Sequence, residues 1–329
     1  MLNKIFKKDV QDYKAKDLMT KHVITLQPQD NLLRAQRMMS RFRIKKIVVI
    51  DNDKNKRYPV GILTVKDIIK FLISDKTDRD LDEIAIFEAM TKNVITTIKN
   101  KNIVDCAEIL DNNNISSLIV IEEEENSEQQ EQQESSANKK ISLSGIITST
   151  DFTRFFSENC IGLASVNDYM SQLVFTISID EKVSRAIQLM LEKNVSRLVV
   201  TAMGSSSSHS ISILGILSET DISGITPALK SRKLRSVYEN MELLFGSSKR
   251  NLDSIEPTLV RIEDIFTPNP ITIEKDADLA EAAKLMVKQG ISGIPVIESP
   301  LVEGEEKIDN QPIGMISKTD IVRALIGIK

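Results

Sequence analysis

One seven-residue pattern occurs four times in this chain of 329 residues. It consists of a glycine, two apolar residues, a serine or threonine, two variable residues and an aspartate. The copies are Gly61–Asp67, Gly145–Asp151, Gly215–Asp221 and Gly314–Asp320, and their internal spacing never varies. A pattern that recurs at this scale predicts four related units rather than one large fold.

A longer stretch of each unit repeats without gaps, and it begins at a threonine. These threonines are Thr25, Thr96, Thr176 and Thr272. Apolar residues then follow at spacings of three and four, which is typical of an amphipathic helix. A short apolar run such as Ile47–Ile50 comes next and indicates a buried strand. Each unit is therefore predicted to contain strand, helix, strand, variable loop, strand and helix, in an α/β (α+β) fold.

The units differ in length only between the buried strand and the glycine pattern. In the second unit this stretch covers residues 122–140 and is almost entirely Glu, Gln, Ser, Asn and Lys. Such a composition cannot bury apolar surface and predicts a disordered loop. It is interpreted either as a solvated hairpin that tolerates insertion or as an acidic interaction segment.

Composition narrows the class of protein. No apolar run approaches the roughly 18 residues that a membrane span needs, and residues 1–8 lack the apolar core of a signal peptide. The two cysteines, Cys106 and Cys160, have no metal-binding or redox spacing. Cys106 stands where the other units carry alanine, which favours a buried structural thiol. These features predict a cytoplasmic protein.

The net charge of −4 argues against general nucleic-acid binding, which needs a basic surface. One local exception lies between the third and fourth units, where Lys230, Arg232, Lys233 and Arg235 cluster. Apolar residues at helical spacing run through and beyond this cluster. The pattern predicts a connecting helix at about 230–250, and a partner- or phosphate-binding role for its basic face is the alternative.

The recurring hydroxyl and aspartate have two interpretations. A Ser or Thr followed three residues later by an acid resembles a capping box, which would stabilise a helix start without any ligand. The acid is nevertheless always Asp, and Thr150, Thr220 and Thr319 add a further hydroxyl beside it. A helix start rich in such donors suits a phosphate group. An adjacent carboxylate can accept hydrogen bonds from the hydroxyls of a ribose.

The element order and this pattern together resemble the CBS domain, the family named for cystathionine β-synthase. The resemblance covers the chain from about residue 16 to its end, broken by a linker at about 226–258. It implies that two repeats pack through their sheets into a Bateman module. It also implies that clefts between the repeats bind AMP, ADP, ATP or S-adenosylmethionine.

The same resemblance implies roles for individual residues. It places the motif aspartates at the ribose: Asp67, Asp151, Asp221 and Asp320. It places the motif hydroxyls at the phosphate: Thr64, Thr148, Ser218 and Ser317. The early threonines, Thr25, Thr96, Thr176 and Thr272, are expected to line the clefts near the base and ribose.

The units differ at the position just before the buried strand. Lys46 and Arg197 stand there in the first and third units, whereas Ser117 and Gly293 stand there in the others. A phosphate chain would prefer a cation nearby. We therefore expect one dominant phosphate-binding cleft in each module, with Lys46 in one and Arg197 in the other, unless both charges simply face solvent. In the fourth unit, Pro295 lacks a backbone donor and suggests that its strand lies at a sheet edge.

The predicted organisation is as follows: an N-terminal extension at 1–15, repeats at 16–76, 84–160, 161–226 and 259–329, and a helical linker at 227–258. No phosphate-binding Gly-rich loop, metalloprotease motif or recurring nucleophile and base is present. The expectation is a non-catalytic regulatory sensor that acts on a partner protein, without a metal. By resemblance, a homodimer of stacked modules is plausible. The alternatives are a scaffold that binds no nucleotide, a nucleic-acid-binding regulator and a metal-dependent protein.

Overall fold

A computed structural model describes residues 9–53, 56–75, 77, 79–123, 141–202, 213–230, 260–298 and 311–328. Of the loop predicted at 122–140, residues 122 and 123 belong to a strand, which corrects the prediction there, and 124–140 lie outside the described residues. Of the helix predicted at about 230–250, only Lys230 is described, and it ends a helix. The strands are β1 (Thr25–Leu26), β2 (Lys46–Asp53), β3 (Lys56–Thr64), β4 (Thr96–Ile98), β5 (Ser117–Glu123), β6 (Ile141–Thr148), β7 (Thr176–Ser178), β8 (Arg197–Thr201), β9 (Ile213–Ser218), β10 (Thr267–Pro268), β11 (Ile273–Glu274), β12 (Gly293–Ile297) and β13 (Pro312–Ser317). The helices are α1 (Ala15–Leu18), α2 (Leu32–Phe42), α3 (Val65–Ser74), α4 (Ile86–Ala89), α5 (Ile103–Asn112), α6 (Ser149–Asn159), α7 (Val166–Tyr169), α8 (Val183–Glu192), α9 (Glu219–Lys230), α10 (Leu279–Gln289) and α11 (Lys318–Gly327).

Each unit has the predicted order of strands and helices. Its first strand runs parallel to its second, and a helix makes the crossover between them, as parallel pairing requires. The second strand then pairs antiparallel with the third, which ends at the motif hydroxyl. The last helix begins at the next residue. The predicted α/β fold and element order are therefore confirmed.

The units are joined in pairs by reciprocal backbone hydrogen bonds. We call the residues between the short first helix or turn of a unit and its first strand the leader segment. Each leader segment pairs with the residue that follows the motif glycine of another unit: Thr20 with Ile146, Thr91 with Ile62, Ser171 with Met315, and Thr267 with Ile216. This exchange links the first unit to the second and the third to the fourth, which defines two modules.

The motif glycines accommodate this exchange. A Cβ atom built on Gly145 would lie 2.9 Å from the carbonyl oxygen of Thr20. One built on Gly215 would overlap the carbonyl oxygen of Thr267 and the ring of Phe266. The glycine is therefore needed for the close approach of the leader segment of the other unit in the module.

The two modules stack on one another through their helices. One buried cluster contains residues of the first and third units, including Ile68 and Ile69 from α3 and Ile222 from α9. A second cluster contains residues of the second and fourth units, including Phe152 from α6 and Leu325 from α11. The stacking that the family resemblance suggested between two chains is thus formed within one chain, and a homodimer remains a prediction.

The helix contact between the first and third units contains an unusual polar bridge. Pro227 lies within α9 and has no N–H to donate to the carbonyl oxygen of Ser223, four residues earlier. The buried side chain of Gln36 on α2 donates its amide to that carbonyl instead. A hydrogen bond from another unit therefore satisfies a backbone acceptor that the helix itself leaves free.

The edge position predicted from Pro295 is wrong. Its strand, β12, is the middle strand of its sheet, between β11 and β13. The proline instead affects where the neighbouring strand begins. The first strands of the other units begin at Thr25, Thr96 and Thr176, but β11 begins at Ile273, one residue after Thr272. The missing N–H of Pro295 explains the later start, because the equivalent Val199 donates to Phe175.

Candidate functional site

The motif hydroxyls and aspartates form a capping box at the start of each final helix. In the first unit the backbone N–H of Thr64 and its hydroxyl both donate to Oδ2 of Asp67, at 2.9 and 2.6 Å. The same two bonds recur in the other three units at 2.6–2.8 Å. The capping interpretation therefore holds for all four pairs.

Capping uses one carboxylate oxygen of each aspartate and does not involve the other, Oδ1. Oδ1 of Asp151 and Asp320 lies 3.6 and 3.3 Å from an arginine one turn along the same helix. In the described part of the chain, no residue donates to Oδ1 of Asp67 or Asp221. Burial raises the pKa of Asp151 and Asp320, and the hydrogen bonds from their capping partners oppose it. The pairs can thus cap the helix and still accept a hydrogen bond from a ligand hydroxyl.

The early threonines lie on or beside the first strand of each unit and are half-buried. Thr25 has a partner that the sequence did not indicate: Arg57 on β3 donates to its hydroxyl at 2.9 Å and to the carbonyl of Val23 at 3.2 Å. Thr272 lies outside β11 because of Pro295. The four predicted cleft positions are therefore not equivalent in this chain.

The last helices and the buried strands of all four units meet at the centre of the molecule. The first residue of each last helix donates its N–H to the carbonyl of the residue before the buried strand. These bonds join Val65 to Lys45, Ser149 to Ser116, Glu219 to Ser196, and Lys318 to Ser292, at 3.0–3.2 Å. The start of every motif helix is therefore held next to the start of its buried strand.

Four basic side chains lie together at this centre, and we call them the central cation group: Lys45, Lys46, Arg197 and Lys318. Their hydrogen bonds cross from one unit to another. Lys46 donates to the hydroxyl of Ser116 at 2.6 Å, Lys318 donates to Thr150 at 3.0 Å, and both Lys45 and Arg197 donate to Ser292. The structure thus brings Lys46 and Arg197, which were assigned to separate clefts, into one shared group.

Within the described ranges, the charges in this group are not neutralised by ion pairs. In the described residues, no carboxylate lies within ion-pair distance of any of the four. Burial, followed by the charge of Lys45, lowers the pKa of Lys46 to about 7. Burial and the charges of Lys45 and Arg197 lower the pKa of Lys318 to about 8. Burial also lowers the pKa values of Lys45 and Arg197.

Solvent still reaches the central cation group. The side chain of Lys45 is exposed, and those of Lys46, Arg197 and Lys318 are partly buried. Protein surrounds these cations closely enough to disfavour their charged forms, yet a ligand can reach them. An anion placed between them would relieve their mutual repulsion through charge-assisted hydrogen bonds.

Gly293 provides the space for Arg197. A Cβ atom built on Gly293 would overlap the guanidinium group of Arg197, which reaches across from the third unit. Sequence reasoning treated Gly293 only as a position without a cation. Its structural role is to admit the cation of the neighbouring unit.

We expect Gly293→Ala to weaken binding of phosphate-bearing ligands by about tenfold, because it displaces the Arg197 side chain from the centre. The free energy of unfolding should change by less than about 1 kcal/mol, since the obstructed atoms are the far end of a flexible side chain. Calorimetric titration with ATP, alongside denaturant unfolding, measures both quantities. Unchanged ATP affinity, or a large loss of stability, would contradict this role.

Cysteines and possible metal ligands contribute little at this site. Cys106 is buried 3.7 Å from the hydroxyl of Thr97, and burial raises the pKa of its thiol. Among the described residues, no group of three or more His, Cys, Asp or Glu side chains is placed to hold a metal ion. Within the same residues, no helix is long and apolar enough to cross a membrane.

Comparison with known proteins supports the observed architecture. The family model described as CBS domain matches residues 15–74, 166–225 and 262–327, more than half of the chain. The second unit lies outside these ranges, although its sheet has the same strand order.

Two relatives illustrate the extent of the likeness. Protein MJ1225 of Methanocaldococcus jannaschii is 24% identical over 294 residues, which is 85% of this chain and 90% of that protein. Its crystal structure gives a TM-score of 0.70 at 22% identity, over 95% of this chain and 99% of that one. A CBS domain-containing protein of Dictyostelium discoideum, DDB_G0289609, is 26% identical over 162 residues, covering 49% of this chain and 90% of its own length.

Proposed function

This chain belongs to the CBS-domain family, and from that premise we propose that it is a non-catalytic regulatory protein that binds adenosine-containing ligands between its paired repeats. The ligand set is AMP, ADP, ATP or S-adenosylmethionine. A change in the bound ligand would alter a partner protein through a difference in ligand affinity between two states.

The central cation group is the observation that carries this proposal. Four cations from three units lie together, held by hydrogen bonds between units, and in the described residues none of them has a carboxylate partner. The starts of the motif helices adjoin this group, and a helix start favours an anion. This arrangement supports a ligand that carries phosphate at the centre and its ribose at a motif aspartate.

The same arrangement suggests which residues would contact the ribose and which the phosphate. The Oδ1 atoms of Asp67 and Asp221, which have no donor among the described residues, are the best placed to accept hydrogen bonds from the ribose hydroxyls. Asp151 and Asp320 would do so after their arginine neighbours adjust. The motif hydroxyls would turn from their aspartates toward phosphate, and Thr25, Thr96, Thr176 and Thr272 would line the outer part of each cleft.

The test is calorimetric titration of the purified protein with AMP, ADP, ATP, S-adenosylmethionine and adenosine, with each motif aspartate replaced by alanine in turn. Every such variant should lose about 0.5–2 kcal/mol of stability because a helix cap is lost. Asp168→Ala is a matched control. Asp168 accepts from the N–H and hydroxyl of Ser165 in the same geometry at the exposed start of α7.

Loss of ligand binding in Asp67→Ala or Asp221→Ala, but not in Asp168→Ala, would support the proposal. If no adenosine ligand binds, and all of these variants are merely less stable, the pairs are helix caps only. The protein would then be a scaffold or would sense a different molecule. Salt-dependent oligonucleotide binding would instead identify a nucleic-acid-binding regulator.

We also expect the affinity for ATP to fall as the pH rises from about 7 to about 9. Lys46 is partly neutral in this range because its pKa is about 7, and Lys318 follows at about 8. The charged groups facing Lys46 are Lys45, Lys318, Asp151 and Glu219. A bound phosphate favours the charged lysines, so binding should take up protons. The free folded protein should gain stability over this interval, because the unfolded chain binds more protons.

Proton uptake is measured by titrating ATP in two buffers of different ionisation enthalpy. Lys46→Arg is the control variant, because arginine stays charged throughout this range. It should retain binding and reduce the pH dependence to the part that Lys318 contributes. Proton release on binding, or an affinity independent of pH in the unmodified protein, would contradict this expectation.

A further inference from the structure

Glu219 is the one acidic residue at a set of four equivalent positions. It is the first residue of α9, directly after the motif hydroxyl Ser218. The equivalent first residues of the other motif helices are Val65, Ser149 and Lys318. Two of the four helix starts therefore carry opposite charges, a carboxylate at α9 and an ammonium at α11.

Glu219 lies close to the central cation group. Its N–H donates to the carbonyl of Ser196 at 3.1 Å, which fixes it beside the start of β8. Its side chain is partly buried and lines a cavity with Lys66, between α3, α8 and α9. In the corresponding cavity between the second and fourth units, Ser149 and Thr319 take these two places. Lys66 and Glu219 place two opposite charges in the first cavity, whereas Asp111 is the charged residue that lines the second.

The neighbouring cations act on Glu219 without forming an ion pair with it in the described residues. Lys66, Lys45 and Arg197 oppose the rise in pKa that burial causes for its carboxyl. Its charge in turn acts on Lys45, Lys46 and Arg197. Glu219 thus supplies part of the negative charge that a ligand phosphate would otherwise bring to this side of the centre.

The consequence for an anionic ligand differs between the two helix starts. Both helices carry the motif aspartate in the first turn, and α9 carries Glu219 in addition, so the attraction of its N-terminus for a further anion is weaker. A phosphate chain approaching Asp221 would also be repelled by the carboxylate. At α11 the ammonium of Lys318, hydrogen-bonded to Thr150, adds to the attraction.

We propose, resting on the adenosine-binding function proposed above, that Glu219 is a specificity-determining residue. Its carboxylate disfavours a phosphate chain at the helix start near Asp221. That helix start therefore binds an adenosine ligand without a phosphate chain, such as adenosine itself or the cationic S-adenosylmethionine. Phosphate-bearing nucleotides are directed to the helix start at Asp320, beside Lys318. The chain therefore senses two chemical classes of adenosine ligand at two of its helix starts.

The experiment is calorimetric titration of the full chain with ATP and with adenosine, before and after Glu219→Gln. This substitution keeps the shape of the side chain and removes its charge. We expect it to strengthen ATP binding at this site by about tenfold, and to leave adenosine binding unchanged. Adding Asp221→Ala to Glu219→Gln should abolish the gain, which assigns the gain to this helix start.

Glu281→Gln is the matched control. Glu281 lies exposed in the first turn of α10, so its substitution removes the same charge from another helix start. It should leave both affinities unchanged. If the unmodified protein binds adenosine ligands but Glu219→Gln leaves the ratio of ATP to adenosine affinity unchanged, this inference is overturned and the proposed function stands. If neither adenosine nor any nucleotide binds the unmodified protein, both are overturned.

Discussion

Gly215→Ala is expected to lower the free energy of unfolding by about 3 kcal/mol or more. The new methyl group would overlap the carbonyl oxygen of Thr267 and the ring of Phe266. That carbonyl cannot move away freely, because the strand that carries it, β10, pairs with the strand that contains Gly215. The substitution therefore acts on the exchange of leader segments that joins the third and fourth units.

Denaturant unfolding measures this loss, and Gly224→Ala is its control. Gly224 is exposed within α9, and a Cβ atom there would meet no atom within 4 Å. Alanine at that position should stabilise the protein by about 0.5–1 kcal/mol, since it favours the helix. A Gly215→Ala protein as stable as the unmodified chain would show that the leader segment does not hold the module together.

Removing one charge from the central cation group is expected to weaken ATP binding by about 10- to 100-fold. The substitutions are Lys46→Met and Arg197→Ala, made separately. Each removes a charge-assisted hydrogen bond of about 1.5–3 kcal/mol to phosphate. Adenosine, which has no phosphate, should bind each variant as it binds the unmodified protein.

Calorimetric titration with ATP and adenosine distinguishes this effect from general damage. Lys70→Met is the control, because Lys70 is exposed one turn along α3 from Lys66 and away from the helix start. Unchanged ATP affinity in both central variants would rule out these residues as phosphate contacts. Parallel losses for ATP and adenosine would indicate a structural effect instead.

These two predictions test separate parts of the molecule that depend on each other. The leader segments hold each pair of units together, and the helix contacts between modules then bring Lys46 and Arg197 to one place. A variant that loosens the module should therefore also weaken ATP binding, although it removes no charge. Loss of one charge is not expected to loosen the module, since it relieves repulsion between neighbouring cations.

Local patterns were sufficient to predict the units and their helix caps. The amphipathic spacing after Thr25 and the apolar run Ile47–Ile50 define a helix and a strand, because both depend on residues close in sequence. The capping boxes join a hydroxyl and an aspartate three residues apart. The four recurring glycine patterns gave the number of units, and the predicted order of elements agrees with the structure.

The sequence also contained signals that were overlooked. Lys45 is adjacent to Lys46, and Glu219 and Lys318 follow the motif hydroxyls directly. Comparing the four units at these positions would have revealed their opposite charges. It would not have shown where those charges point, because side chains at one aligned position can face solvent, a cleft or another unit.

The sequence by itself determined the repeated unit and the start of each motif helix, since these rest on short-range periodicity and hydrogen bonds. Only the tertiary structure decided that Lys46 and Arg197, 151 positions apart in the chain, belong to one group of cations. It also decided that Gly293 makes room for a neighbour's arginine and that Pro295 lies in a middle strand. The physical reason is that these outcomes depend on which unit packs against which, and burial of helix faces selects that partner without leaving a local pattern.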